Sequence, residues 1–126
     1  MKKLILQSRF NNIPVKTLLI IYENMSNKYG EYTKAINRGL KDLEGKGVIN
    51  SRQDFRNHAH DQYREMGLTE KQAQAHMKNK DAGHIVSVDH GGKDTASNFF
   101  WEDRHDNRAH GAATVKRAEL KRGGRL

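Results

Sequence analysis

Four side chains in the C-terminal part of the chain have types and spacings that suit hydrolytic chemistry: Asp81, His84, Asn98 and Asn107. They lie in the runs Asp81-Ala-Gly-His-Ile-Val, Ser97-Asn-Phe and Asn107-Arg, with the pair Gly91-Gly92 between the first two. His84 precedes Asn98 by 14 residues and Asn107 by 23. Histidine, with an unperturbed pKa of ~6.5, is the natural general base for activating water near neutral pH. The chain has no cysteine. Thiolate metal sites and disulfides are therefore excluded, and His, Asp, Glu and Asn remain as ligands. Arg104 and Arg108 flank Asn107 one helical turn apart, spaced to meet a phosphate together. Taken singly, each position has an ordinary reading: His84 as a core histidine on an edge strand, Gly91-Gly92 as a hairpin turn, Asn98 and Asn107 as turn and cap residues. It is their coincidence in one order that points to chemistry.

At this point residues 81–111, about a quarter of the chain, resemble the HNH (His-Me finger) endonucleases. That family's core runs His-Ile-x-Pro, Gly-Gly, Asn-Leu and Asn-x-x-Lys-Gly on a ββα-metal finger. Asp81-Ala-Gly-His84 is also similar to the Asp-Arg-Gly-His signature of a non-specific DNA/RNA endonuclease branch, with Ala82 in place of arginine. The resemblance implies a metal-dependent endonuclease that hydrolyses phosphodiester bonds of nucleic acid, DNA favoured, leaving a 5′ phosphate and a 3′ hydroxyl. His84 would be the general base, facing the helix, with its other ring nitrogen held by a backbone carbonyl. Asn98 would bridge the loop and hold the histidine in place, and Asn107 would ligate the metal. Mg²⁺ is the expected ion, with Mn²⁺ or Zn²⁺ as substitutes; it would act as Lewis acid and template on the scissile phosphate. Arg104, Arg108 and Lys93 are the expected nucleic-acid contacts.

The sequence departs from the family where many members place Asp or His directly before the catalytic histidine as a second ligand; here that residue is Gly83. Asp81 is the favoured substitute. Ser87 replaces the usual proline, and His110-Gly111 the closing Lys-Gly. Two other classes fit the residues: a nucleic-acid-binding module that keeps the finger without cutting, and a structural zinc site built from His84, His105 and His110. Small stand-alone nucleases of this kind often belong to phages or mobile elements, and some are toxins.

Composition agrees with a nucleic-acid partner. Of 126 residues, 35% are hydrophobic and 30% charged, so one small core with a dominant surface is expected. The net charge is +8. Residues 1–52 hold ten Lys/Arg against four acids, residues 81–110 three against six, and residues 111–126 five against one. A basic body around an acidic, His-bearing segment attracts a phosphate backbone while leaving acids to offset a divalent ion. The apolar run after Met1-Lys-Lys is too short for a secretion signal, and Val15 to Tyr22 too short for a membrane span. The reading is soluble and cytoplasmic, with no membrane partner.

The elements that must position the four residues follow from periodicity. Apolar residues from Leu18 through Met25, Tyr32, Ile36, Leu40 and Leu43 recur at three- and four-residue steps, predicting one long amphipathic helix, or two broken near Gly30, that starts after Pro14 and ends at Gly45-Lys-Gly47. This helix could also carry a homodimer contact. A second helix is expected from Ser51 or Asp54 to Gly67, and a third from the capping box Thr69-Glu-Lys-Gln72 to about Lys80. Asp81 to Val88 reads as a strand, Asn98 to Trp101 as its return, and Asp103 as the cap of a helix running through Arg108 to Leu120. The aromatics Phe99, Phe100 and Trp101 are expected in the core, and His58, His60 and His76 on the surface. The fold class is thus α+β: a basic helical region 1–80, a ββα-metal finger 81–120 and a loose basic tail 121–126, in one compact domain.

Overall fold

In the computed structural model, residues 29–126 are described. The beginning of the expected long helix, and with it the proposed dimer contact, lies outside them. Helix α1 spans Glu31–Leu43, placing Tyr32, Ile36 and Leu40 on one buried stripe at four-residue spacing. It ends where Gly45 takes a left-handed φ of 75°. Helix α2, Arg52–Glu65, starts at Ser51, whose hydroxyl accepts from the Asp54 amide, and buries Phe55, Ala59 and Tyr63. Helix α3, Glu70–Lys78, opens with the reciprocal Thr69/Gln72 capping box that its sequence predicts. Among the described residues no helix is long and apolar enough to cross a membrane.

Strands β1 (Lys80–His84) and β2 (Phe99–Asp103) form a two-stranded antiparallel sheet, with Asp81 opposite Glu102, Gly83 opposite Phe100 and His84 opposite Phe99. Helices precede the sheet, so the fold is mixed α+β as expected. Because side chains alternate across a strand, the sheet has two unlike faces. Ala82, Phe99 and Trp101 join Ile36, Leu40, Phe55, Ala59, Tyr63 and Met77 in the main core. Phe100 faces the other way, into a smaller cluster with Tyr29, Val115 and Leu120. Trp101, Phe99 and Phe100 are fully buried, as the sequence predicts.

Three expectations need correcting. First, β1 stops at His84 rather than Val88; the chain then turns through short 3-10 turns at Val88–His90 and Ala96–Asn98. Second, the C-terminal helix is two: α4, Arg104–His110, and α5, Arg117–Arg122. Gly111, at φ 55° and ψ −126°, breaks it. Third, the tail is not loose. Arg125 is buried, donating from Nε to the Phe99 carbonyl at 3.1 Å and from Nη2 to the Ala96 carbonyl at 2.9 Å and to Glu44 Oε1 at 2.6 Å. The Gly123 carbonyl accepts from Asn37 Nδ2 at 2.9 Å. A sequence of Lys, Arg and Gly reads as solvent-loving, but a guanidinium can satisfy carbonyls that strand ends leave open.

Candidate catalytic site

His84, the last residue of β1, lays its ring on Phe99, its partner across the sheet, with centroids 4.9 Å apart. Its Nε2 is 2.6 Å from Asp94 Oδ1, in the loop between the strands. The resemblance implied a backbone carbonyl in this role; a carboxylate fills it. A carboxylate accepts, so Nε2 is the donor on that bond, and in the neutral ring the lone pair is then on Nδ1. The pleat also corrects the expected orientation. Gly83, not His84, lies against α4: a Cβ added at 83 would overlap Glu102 Oε1 and lie 2.9 Å from Asn107 Oδ1.

Asn98 is the keystone of the loop. Its Oδ1 accepts from the Val86 amide at 2.9 Å, and its Nδ2 donates to the Val86 carbonyl at 2.9 Å and to the Lys93 carbonyl at 3.0 Å. Its own carbonyl accepts from the Ile85 amide at 2.8 Å. One carboxamide thus replaces the ladder that ends at His84, and fixes the backbone just after the base. Gly92 is required by the same crossing, since a Cβ there would overlap the Val86 carbonyl.

Asn107 stands on α4, which packs on both strands. Its Nδ2 donates to Asp81 Oδ2 at 3.0 Å. Asp81 also receives Arg104 Nε at 3.2 Å on Oδ1 and faces Arg108 Nε at 3.7 Å from Oδ2. Expected as a metal ligand, Asp81 instead has both oxygens turned to cations and to the Asn107 amide. Arg104 and Arg108, expected on the phosphate, share this anchor but remain 40% and 69% exposed. Lys93 is exposed on the loop beside Asp94.

His84 and Asn107 line one cleft of about 290 Å³, with Arg52, Ser87, Val88, Asp89, Gly111 and Ala112. A larger open groove, about 740 Å³, is lined by Asn79, Asp103, Arg104, His105 and Arg108. The structure therefore joins the base and the metal-ligand candidate, and gathers the two arginines at a neighbouring groove. The three histidines of the zinc alternative go to separate places: His84 to Asp94, His110 to Glu102, and His105 to the larger groove. Among the described residues, no three His, Asp or Glu side chains gather as a closed cage.

Sequence reasoning missed Asp94, Arg52 and Glu102. Asp94 sits four residues before Asn98, a spacing that carried no meaning until the loop folded. Arg52, at the start of α2, reaches the cleft from a distant part of the chain. Glu102 had a visible signal, the first of two acids ending the apolar run Phe99-Phe-Trp101 and the one in register to alternate with Trp101. It is fully buried, and His110 Nε2 lies 2.8 Å from its Oε1. Burial pushes its carboxyl up to about 6, with His110 holding it down and Asp106 and Glu119 pushing the same way as burial. Comparison with known proteins finds no match: no family model, no curated sequence and no solved structure is similar to the chain.

Proposed function

We propose that the protein is a divalent-metal-dependent endonuclease of the HNH kind, its strand–loop–strand–helix segment serving as a ββα-metal finger with His84 as general base. The observation that carries this reading is the Asn98 clamp on Val86 beside a histidine whose Nε2 is anchored, in a cleft that also holds Asn107. Anchoring Nε2 on Asp94 fixes the ring and its tautomer, so that Nδ1 takes the proton from an attacking water. Fixing the base in this way lowers the entropic part of the barrier, since the ring need not be ordered during the reaction. Arg52 at the cleft and Arg104 and Arg108 at the adjoining groove supply cations for the phosphate backbone.

Oxygen donors at Asn107 and at the buried, half-unpaired Glu102 suit a hard cation such as Mg²⁺. When bound, such an ion would neutralise charge on the scissile phosphate and the leaving oxygen. DNA is the favoured substrate. The test is cleavage of supercoiled plasmid by the purified full chain in EDTA, Mg²⁺, Mn²⁺ or Zn²⁺, with His84→Ala alongside. Metal-dependent nicking abolished by the substitution is expected. Binding of DNA without cutting of plasmid, single strands or RNA under any metal would instead make the chain a binding module.

A further inference from the structure

The strand position before His84 has no side chain, yet the space above it is not empty. Glu102 Oε1 from β2 and Asn107 Oδ1 from α4 both lie within 2.9 Å of the point a Cβ at residue 83 would occupy. Two oxygens from different elements thus converge where a side chain from β1 would otherwise stand. Each is held there by a neighbour. Asn107 Nδ2 is committed to Asp81 Oδ2 at 3.0 Å, which turns its Oδ1 toward Gly83. His110 Nε2, 2.8 Å from Glu102 Oε1, fixes the carboxylate from the solvent side.

Glu102 supplies a second, independent sign of a ligand. It is fully buried, and its Oε2 has no hydrogen-bond partner. A buried carboxylate oxygen without a donor carries a desolvation cost that folds ordinarily avoid. It lies opposite Asp81 in the sheet register, but Asp81 is already matched by Arg104 and Arg108. Glu102 has only a histidine, and that on one oxygen. The convergent oxygen Oε1 meets His110 and its twin Oε2 meets nothing. A carboxylate with one free acceptor beside a carboxamide oxygen is a donor set a hard cation takes, at metal–oxygen distances of about 2.1 Å for Mg²⁺ and with the remaining positions filled by water.

We propose that Glu102 and Asn107 together hold a single divalent cation of the Mg²⁺ or Mn²⁺ class, with Glu102 on β2 taking over the ligand role that Gly83 on β1 cannot perform. Asp81 is then a positioning residue that aims Asn107, and His110 one that aims Glu102. Glycine at 83 is required because any side chain there would displace both donors. The purpose of the ion rests on the nuclease reading; its location does not.

The test is isothermal titration of Mn²⁺ into the metal-free full chain at pH 7.5, checked by Mn²⁺ electron paramagnetic resonance, with plasmid cleavage measured in parallel. Wild type is expected to bind one Mn²⁺, and Glu102→Gln to weaken binding at least tenfold. Gly83→Ala keeps every charge and only pushes the donors apart; it is expected to weaken binding at least tenfold as well, and carries the test should Glu102→Gln fail to fold by circular dichroism. Binding by Glu102→Gln within threefold of wild type, or no binding by wild type, overturns the proposal. Cutting that survives in Glu102→Gln with unchanged Mn²⁺ affinity sinks the ligand assignment and leaves the nuclease standing. Mn²⁺ binding lost in Glu102→Gln, in a chain that cuts nothing, keeps the cation site and sinks the nuclease.

Discussion

The two faces of the β1–β2 sheet are built from neighbouring residues and solve opposite problems. Toward α1, α2 and α3, Ala82, Phe99 and Trp101 pack on Phe55, Tyr63 and Ile36, and the polar atoms of Trp101 are all met: Nε1 donates to the Tyr63 hydroxyl at 2.9 Å, the amide donates to Asn37 Oδ1 at 2.7 Å, and the carbonyl accepts from Asn37 Nδ2 at 2.9 Å. Toward α4, Asp81 and Glu102 bring carboxylates under a helix on either side of Gly83, one compensated by arginines and one left half-paired. Apolar burial with satisfied donors stabilises; a buried carboxylate short of partners destabilises. The first face therefore carries the fold. The second is tolerated because the first is sound, and a face that costs stability is where a chain keeps chemistry.

The sharpest way to break this contrast is to damage the stabilising face. Trp101→Ala removes the largest fully buried side chain and leaves the Tyr63 hydroxyl and a cavity behind. A loss of about 3–5 kcal/mol is expected, read as a fall in the urea midpoint. A loss below about 1 kcal/mol would mean that this face is not the foundation described. At His84, which shares the Phe99 side of the sheet but opens on the cleft at its end, the effect should appear chiefly in rate. His84→Ala is expected to lower metal-dependent plasmid nicking by about 10²–10⁴-fold, while the unfolding free energy from urea denaturation changes by about 1 kcal/mol or less. Equal damage to stability and rate would erase the distinction.

Asn98→Ala lies between the two, because its three side-chain hydrogen bonds serve both fold and site. Removing them leaves the Val86 amide and carbonyl to water, for an expected loss of about 1–3 kcal/mol, with nicking reduced because the chain beside His84 is freed. Asn98→Asp keeps the acceptor for the Val86 amide but sets a carboxylate oxygen against the Val86 and Lys93 carbonyls, so its fall should be at least as large. An unchanged urea midpoint in both variants would show that the clamp is dispensable.

The legible parts of the molecule were those written locally. The α3 capping box, the Ser51 cap, the four-residue stripe of α1 and the core aromatics of β2 are decided within a few residues, and sequence reading placed them. So was the order strand, glycine-bearing loop, strand, helix. What failed depended on partners far along the chain. Arg125 is buried because carbonyls of Phe99 and Ala96 await it some 26 to 29 residues earlier. The reversal of roles between Asp81 and Glu102 depends on register, which pairs them across the sheet and gives both arginines to only one of them. Asp94 gained its role only when the loop closed on His84. His76 was expected on the surface with His58 and His60, whose spacing does not put both rings on one helical face; its burial comes from Tyr32 and Tyr63 on other helices.

That histidine offers the mildest test, on the stabilising side of the sheet. The His76 ring sits against Tyr32 at 5.4 Å and Tyr63 at 5.2 Å. Burial there, with Lys80 nearby, depresses its pKa below the ordinary histidine value. His58 on α2 is depressed too, by burial, against the opposing pull of Asp61 and Glu65. In both cases the unfolded chain takes up protons first. Their contribution to stability is therefore complete above pH ~6.5 and is lost as pH falls below it toward the folded values, by at most about 1.4 kcal/mol per pH unit for each ring. Urea denaturation at pH 7.5, 6.5 and 5.5 should show this decline in wild type, and a shallower one in His76→Gln, which has no proton to take up. Carboxylates shared by both proteins cancel in that difference. A variant with the same pH slope as wild type would place His76 in water rather than against Tyr32 and Tyr63.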